Sequence, residues 1–129
     1  MQKQDLQSRG DIELLVRTFY GKVRQHPDLG PIFNRIVDDW ESHIQTITNF
    51  WQSNLWHTKT YRDNPIQKHI TVDQQVNHQI DQAHFGHWLQ LWFETTDDLY
   101  EGQNAHTAKQ RARNMAHMLF MRIYEAREN

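Results

Sequence analysis

Between Trp40 and Trp56 the chain reads WESHIQTITNFWQSNLW, and its apolar residues recur at helical rather than strand spacing. At about 100° per residue, Trp40, Ile44, Ile47, Phe50, Trp51 and Leu55 fall in one arc roughly 140° wide. His43 falls inside that arc. Such a helix has to bury its aromatic stripe against other elements, and in doing so it turns an ionisable ring toward the interior. Two readings of His43 follow: a core histidine satisfied by a hydrogen bond, or a ligand or gate in an apolar pocket. What the rest of the chain places opposite it decides between them.

From Asp11 to Gln25, the positions Ile12, Leu15, Val16, Phe19, Tyr20 and Val23 repeat at i, i+3, i+4, which predicts a second amphipathic helix, with Pro27 beyond its end. Tyr20 lies at the edge of this stripe, where a phenol packs its ring and aims its hydroxyl at a partner. A core tyrosine with a local hydrogen bond is the alternative. Gly21 is expected to admit a close helix crossing. DLGPIFN, residues 28–34, reads as a turn with a short helical piece that carries Ile32 and Phe33 inward. Asp38, three residues before Glu41, is expected to start the Trp40 helix with a capping box.

After Trp56 the periodicity collapses. Asn64 before Pro65 predicts the cap and first residue of a short helix ending near Ile70, with His69 at its end. Residues 71–80 hold scattered apolar positions among Gln and Asn and are expected to form a loop with local order. From Asp81 to Tyr100 the residues Phe85, Trp88, Leu89, Trp92, Thr96 and Leu99 restore the helical period, with Gly102 as the stop. A last helix, Asn104 to Arg127, is expected to bury Ala108, Ala112, Met115, Ala116, Leu119 and Ile123. Its alanine-rich first half suits a close crossing. The expectation is a single all-α domain spanning residues 1–129.

Composition sharpens the interior. Only 37% of the 129 residues are hydrophobic and mean hydropathy is -0.90, yet five tryptophans raise the aromatic share to 12%. A few large side chains therefore supply most of the burial, and a bound apolar cofactor would help fill the core. A net charge of -2 gives no electrostatic reason to expect nucleic acid or an acidic membrane. The absence of cysteine excludes disulfides, iron-sulfur clusters and thiolate chemistry. No apolar run approaches the roughly 18 residues of a membrane span, and the N-terminal MQKQDLQSRGD lacks the apolar segment of a signal peptide. A cytoplasmic location is expected.

Nine histidines invite metal chemistry, and three metal readings compete with no metal at all. Asp81, His84 and His87, with His78 upstream, are each three apart, but that spacing drifts by about 60° per step on a helix and spreads them around it. A di-iron carboxylate bundle needs Glu-x-x-His pairs, and none occurs. The run Lys109, Arg111, Arg113 reads as a solvated face. The third reading is haem, which needs one histidine on the proximal side, an apolar slot lined by aromatics, and polar groups on the other face. His69 on a short helix can present an imidazole, Phe19, Phe33, Ile47, Phe50 and Trp88 can form the slot, and Tyr20 and His43 supply hydrogen bonds.

At this point the chain resembles the truncated haemoglobins, and within them group III. The resemblance is carried in order by Phe19-Tyr20, DLGPIFN, Trp40-Glu41-x-His43, Asn49-Phe50-Trp51, Tyr61, Asn64-Pro65 and His69. It continues through Phe85-x-x-Trp88-Leu89-x-Leu91-Trp92 and Arg111-Ala112. It implies a shortened globin fold, a helical sandwich enclosing a haem pocket, with haem b as cofactor. It further implies His69 as proximal iron ligand, Tyr20 and His43 as distal residues and Trp88 as a distal indole donor. Phe33 would stack near the haem, Ile47 would line the pocket, and Tyr61, Arg62 and Lys68 would contact the propionates. Asp63 stands where the family often has glycine, and the connection from His69 to Phe85 is longer than usual.

The function expected from this is binding of O2, NO or another small ligand at iron, with NO-detoxifying or peroxide-reducing chemistry that needs an external electron donor. Such a protein would be a monomer or weak homo-oligomer. The alternative is a haem-free helical interaction domain whose aromatics are core and whose histidines are incidental.

Overall fold

The computed structural model describes residues 3–58, 68–71, 73 and 80–127, and in it helix α1, Arg9–Gln25, begins two residues before the periodic stretch. Its start is a capping box. Ser8 Oγ accepts from the Asp11 backbone N–H at 3.2 Å, and the Asp11 carboxylate accepts from the Ser8 N–H at 3.2 Å. Helix α2, Leu29–Ile36, follows at once. The close approach in this corner belongs to Gly30 rather than Gly21. A Cβ on Gly30 would lie 2.6 Å from the Arg24 carbonyl oxygen, whereas one on Gly21 would meet nothing within 4 Å. The turn after α1 folds α2 back onto the last turn of α1, so contact is made at the start of α2 and Gly21 faces outward.

Helix α3 runs Trp40–Trp56, with both ends where the stripe begins and ends. Its cap is Asp39, whose carboxylate accepts from Ser42 N–H at 3.1 Å, and not Asp38. The helix starts at Trp40, so the cap is the extended residue just before it. Glu41 is thereby free to reach across to Arg17 on α1, 2.6 Å away. Helices α4, Gln82–Leu99, and α5, Gln103–Arg127, complete the set, and residues 68–71 and 73 are also helical. Among the described residues there is no strand. Helix α1 packs on α2, α3 and α4, while α5 packs on α4 and reaches α3.

Tryptophan dominates the centre, as the lean composition implies. Trp92 of α4 stacks on Trp51 of α3 with ring centroids 4.8 Å apart and planes 16° apart, and Phe19 of α1 meets Trp92 edge-on at 5.0 Å. The alanines of α5 make room for this. With Ala105, Ala108, Ala112 and Ala116 buried, the Trp92 indole N–H comes close enough to donate to the Ala108 carbonyl at 3.3 Å. Three threonines sit wholly inside, and each hydroxyl donates one turn back, Thr48 to Ile44, Thr95 to Leu91 and Thr96 to Trp92, all at 2.7 Å.

The N-terminal arm belongs to this core. Leu6 is fully buried, and the Asp5 carboxylate accepts from the backbone N–H groups of Asn104 and Ala105, both at 2.8 Å. Asp5 thus satisfies orphan donors at the start of α5. Gly102 makes the approach feasible: it holds φ +147°, and a Cβ there would lie 2.4 Å from Asp5 Cγ.

Candidate functional site

The helices leave a cavity of about 620 Å³, within the roughly 300–1,000 Å³ range of small-molecule and cofactor sites. Its walls are mostly apolar and come from every element. α1 contributes Tyr20, while Leu29, Ile32, Phe33 and Ile36 come from α2 and His43, Ile47, Phe50 and Trp51 from α3. The segment 68–71 supplies Lys68, His69 and Thr71, α4 supplies His84, Phe85 and Trp88, and α5 supplies Met115, Ala116 and Leu119.

Of the residues expected at the site, Tyr20, Phe33, His43, Ile47, Phe50, Lys68, His69 and Trp88 therefore share one cavity. Phe19 does not reach it. Consecutive residues on a helix point about 100° apart, so with Tyr20 turned to the cavity Phe19 turns to the core, where it meets Trp88 edge-on at 5.6 Å. Tyr61, Arg62 and His78 lie outside the described residues. The additional lining residues Ile36 and Val37 extend the Ile32-Phe33 stripe by one helical turn, a spacing legible in the sequence. His84 lies one turn before Trp88 on the same face of α4, while Ile80 is brought in by the tertiary fold.

Three rings from two helices, Tyr20 of α1 and Trp40 and His43 of α3, meet beside the cavity. His43 stands edge-on to Tyr20 with centroids 5.0 Å apart and to Trp40 at 5.6 Å. Behind them the Arg24 guanidinium lies 4.6 Å from the centre of the Trp40 ring. Burial alone pushes the Tyr20 phenol above its ordinary range, so it remains a protonated donor at neutral pH. His43 shifts the other way. Burial, helped by the positive field of Lys68 and His69, lowers it from 6.5 to about 4, so its imidazole is neutral. Its Nε2 is buried with no hydrogen-bond partner among the described residues, an atom that should be satisfied if the cavity holds a polar ligand.

The His43 shift has a signed consequence for stability. Between about pH 6.5 and 4 the unfolded chain carries a proton on this residue that the folded chain refuses, so its contribution is present above about pH 6.5 and is lost as pH falls toward 4. In cofactor-free protein, His43→Leu is expected to flatten this part of the profile. Urea midpoints measured from pH 7 to 4.5 check it, and parallel profiles for the two proteins would refute it.

The other histidine pattern is structural. Asp81 accepts from the His84 backbone N–H at 3.1 Å while His84 Nδ1 accepts from the Asp81 N–H at 3.0 Å, a reciprocal cap for α4. His87 Nε2 lies 3.3 Å from the carboxylate of Asp28, the residue just before α2. Among the described residues no three His, Asp or Glu side chains converge as a metal site. The basic run also divides. Lys109 pairs with Asp97 at 2.6 Å and Arg113 is exposed, but Arg111, expected on a solvated face, is half-buried and donates to the Asn54 carbonyl and side chain of α3.

No family model matches this chain. Its sequence is similar to the group 3 truncated haemoglobin ctb of Campylobacter jejuni, 33% identical over 109 residues that span 81% of this chain and 82% of that one. The fold is similar to the crystal structure of a group III truncated haemoglobin from Campylobacter jejuni, with a TM-score of 0.84 at 30% identity, over 97% of this chain and 98% of the other.

Proposed function

Because the chain belongs to the group 3 truncated haemoglobins, we propose that its cavity holds haem b, with His69 as the iron ligand and Tyr20, His43 and Trp88 facing a small ligand such as O2 or NO. One observation carries this reading. A single apolar cavity of about 620 Å³ gathers Tyr20, His43 and Trp88 from three helices and a second histidine, His69, from a separate segment. The orphaned Nε2 of His43 fits a pocket built around a polar guest. Lys68, also on the cavity wall, is a cation suited to a propionate.

Haem, when bound, supplies an iron centre that takes up diatomic ligands and exchanges electrons. The chain's own residues do the rest. The apolar walls exclude water, and in such surroundings hydrogen bonds from a phenol and an indole are stronger than in water. Tyr20 keeps its proton and acts as a donor, and neutral His43 accepts or donates at one nitrogen without adding charge. Donors of this kind retard ligand release. A protein that releases its ligand slowly is a poor carrier, so oxidation of nitric oxide or reduction of peroxide, fed by an external electron donor, is the role we assign.

Titration of the purified protein with haem tests the reading: a one-to-one Soret band is expected, and a chain that remains colourless overturns it. Tyr20→Phe and Trp88→Phe are each expected to speed oxygen release roughly three- to tenfold, the equivalent of one neutral hydrogen bond of about 1 kcal/mol. Stopped-flow mixing measures this, and unchanged rates in both variants would remove the two residues from the mechanism.

A further inference from the structure

Asp73 and Arg127 form an ion pair that lines no part of the cavity. The Asp73 side chain is 2% exposed and that of Arg127 22%. The contact is a two-pronged fork, with Arg127 Nη2 donating to Asp73 Oδ1 at 2.6 Å and Nε to Oδ2 at 2.9 Å. The same Nη2 also donates to the Ile80 carbonyl. Few side chains other than arginine can do this, because the guanidinium offers five donors in a fixed plane.

The three elements joined at this point all bear on the site. Asp73 stands four residues after His69, and both are helical, so they lie one turn apart on the same face of their segment. Ile80 immediately precedes Asp81, the cap of α4. Arg127 ends α5, whose Met115, Ala116 and Leu119 line the cavity. One cation therefore fastens the His69 segment to the start of α4 and the end of α5.

We infer that Arg127 and Asp73 are positioning residues for His69, their fork holding the segment that carries the imidazole in place against α4 and α5. The inference rests on His69 being the haem ligand. Separating the partners of a pair whose carboxylate is 2% exposed is costly, so the fork resists displacement of the segment. One helical turn transmits that constraint to His69.

The test compares haem-loaded wild type with Arg127→Gln, Asp73→Asn, the double variant and Arg127→Lys. It uses the iron–histidine stretching band of the ferrous protein by resonance Raman, the rate of haem loss to an apoglobin scavenger, and amide hydrogen exchange. Arg127→Gln and Asp73→Asn are expected to shift or split the band and to speed haem loss about tenfold, at the lower end of what removal of an outer-shell partner costs. The double variant should be no worse than the poorer single one, since both remove the same interaction. Arg127→Lys, with the charge but not the fork, should fall between. Faster exchange is expected at residues 68–71 and not in α1 or α3. A band and a haem-loss rate that stay at wild-type values overturn the inference, as does exchange that rises equally throughout. If the band is present in wild type and lost in His69→Ala but indifferent to Arg127, the positioning role alone fails. If wild type has no such band, or His69→Ala retains it, the assignment of His69 fails and takes the positioning role with it.

Discussion

Replacing His69 by alanine is expected to lower haem affinity by more than about 100-fold and to leave the chain nearly without the Soret band that wild type gains on titration. Loss of an outer-shell partner already costs about 10–100-fold in metal affinity, and here the removed group would be the ligand itself. The two other histidines that line the cavity among the described residues are poorly placed to replace it. His84 commits Nδ1 to the cap of α4, and His43 sits on α3 against Tyr20 and Trp40. Added imidazole should restore the band in His69→Gly, which separates a missing ligand from a misfolded pocket. A ferrous spectrum unaltered in His69→Ala would sink the assignment. His43→Ala, run alongside, asks whether the resting iron takes a second protein ligand: loss of a low-spin ferric spectrum in that variant would show that it does.

Trp92→Ala is expected to cost about 3–5 kcal/mol, the range for truncating a buried tryptophan to alanine, and to lower the melting temperature by roughly 10–25 °C. Trp92 is 1% exposed and joins three helices at once. It stacks on Trp51, receives the edge of Phe19 and donates to the backbone of α5 through Ala108. Truncation removes all three contacts at once and leaves a space between the helices. Domains of this kind hold only about 5–15 kcal/mol in all, so the variant would stand close to unfolding. Circular dichroism melts check this against Leu14→Ala, a control at a half-exposed position. A drop under about 5 °C in Trp92→Ala would mean that the stack is not central to stability.

Helix positions were legible in the sequence because amphipathic periodicity is a local signal. Trp40 to Trp56 is the clearest case, since its aromatic stripe stops where the helix stops. Several cavity residues were legible for the same reason: His43, Ile47 and Phe50 share one face, and Phe33 follows Ile32 on α2. Periodicity could not settle which of two adjacent stripe residues faces a void and which faces the core. Phe19 and Tyr20 look alike in pattern, and only the packing of Trp88 and Trp92 against Phe19 separates them. Contacts between separate elements left no local trace. The approach of Gly30 to Arg24 and the fork between Arg127 and Asp73 depend on where chain segments meet, not on their spacing. Asp38 and Asp39 show the finer limit, because two adjacent carboxylates serve equally well as a cap until the first helical residue is known.

The carboxylate that secures the start of α5 comes from Asp5, 99 and 100 residues earlier in the chain, and Tyr100 returns the link by donating its hydroxyl to the Asp11 carbonyl at 2.9 Å. During synthesis the arm emerges before α5 and has no helix end to meet until 99 to 100 further residues have followed. The loop that closes this contact is 99 to 100 residues long, so its entropic cost is met most readily once the interior helices have packed and brought the two segments near each other. Docking of the arm is therefore expected late in folding, with the last helix restrained by a part of the chain made well before it.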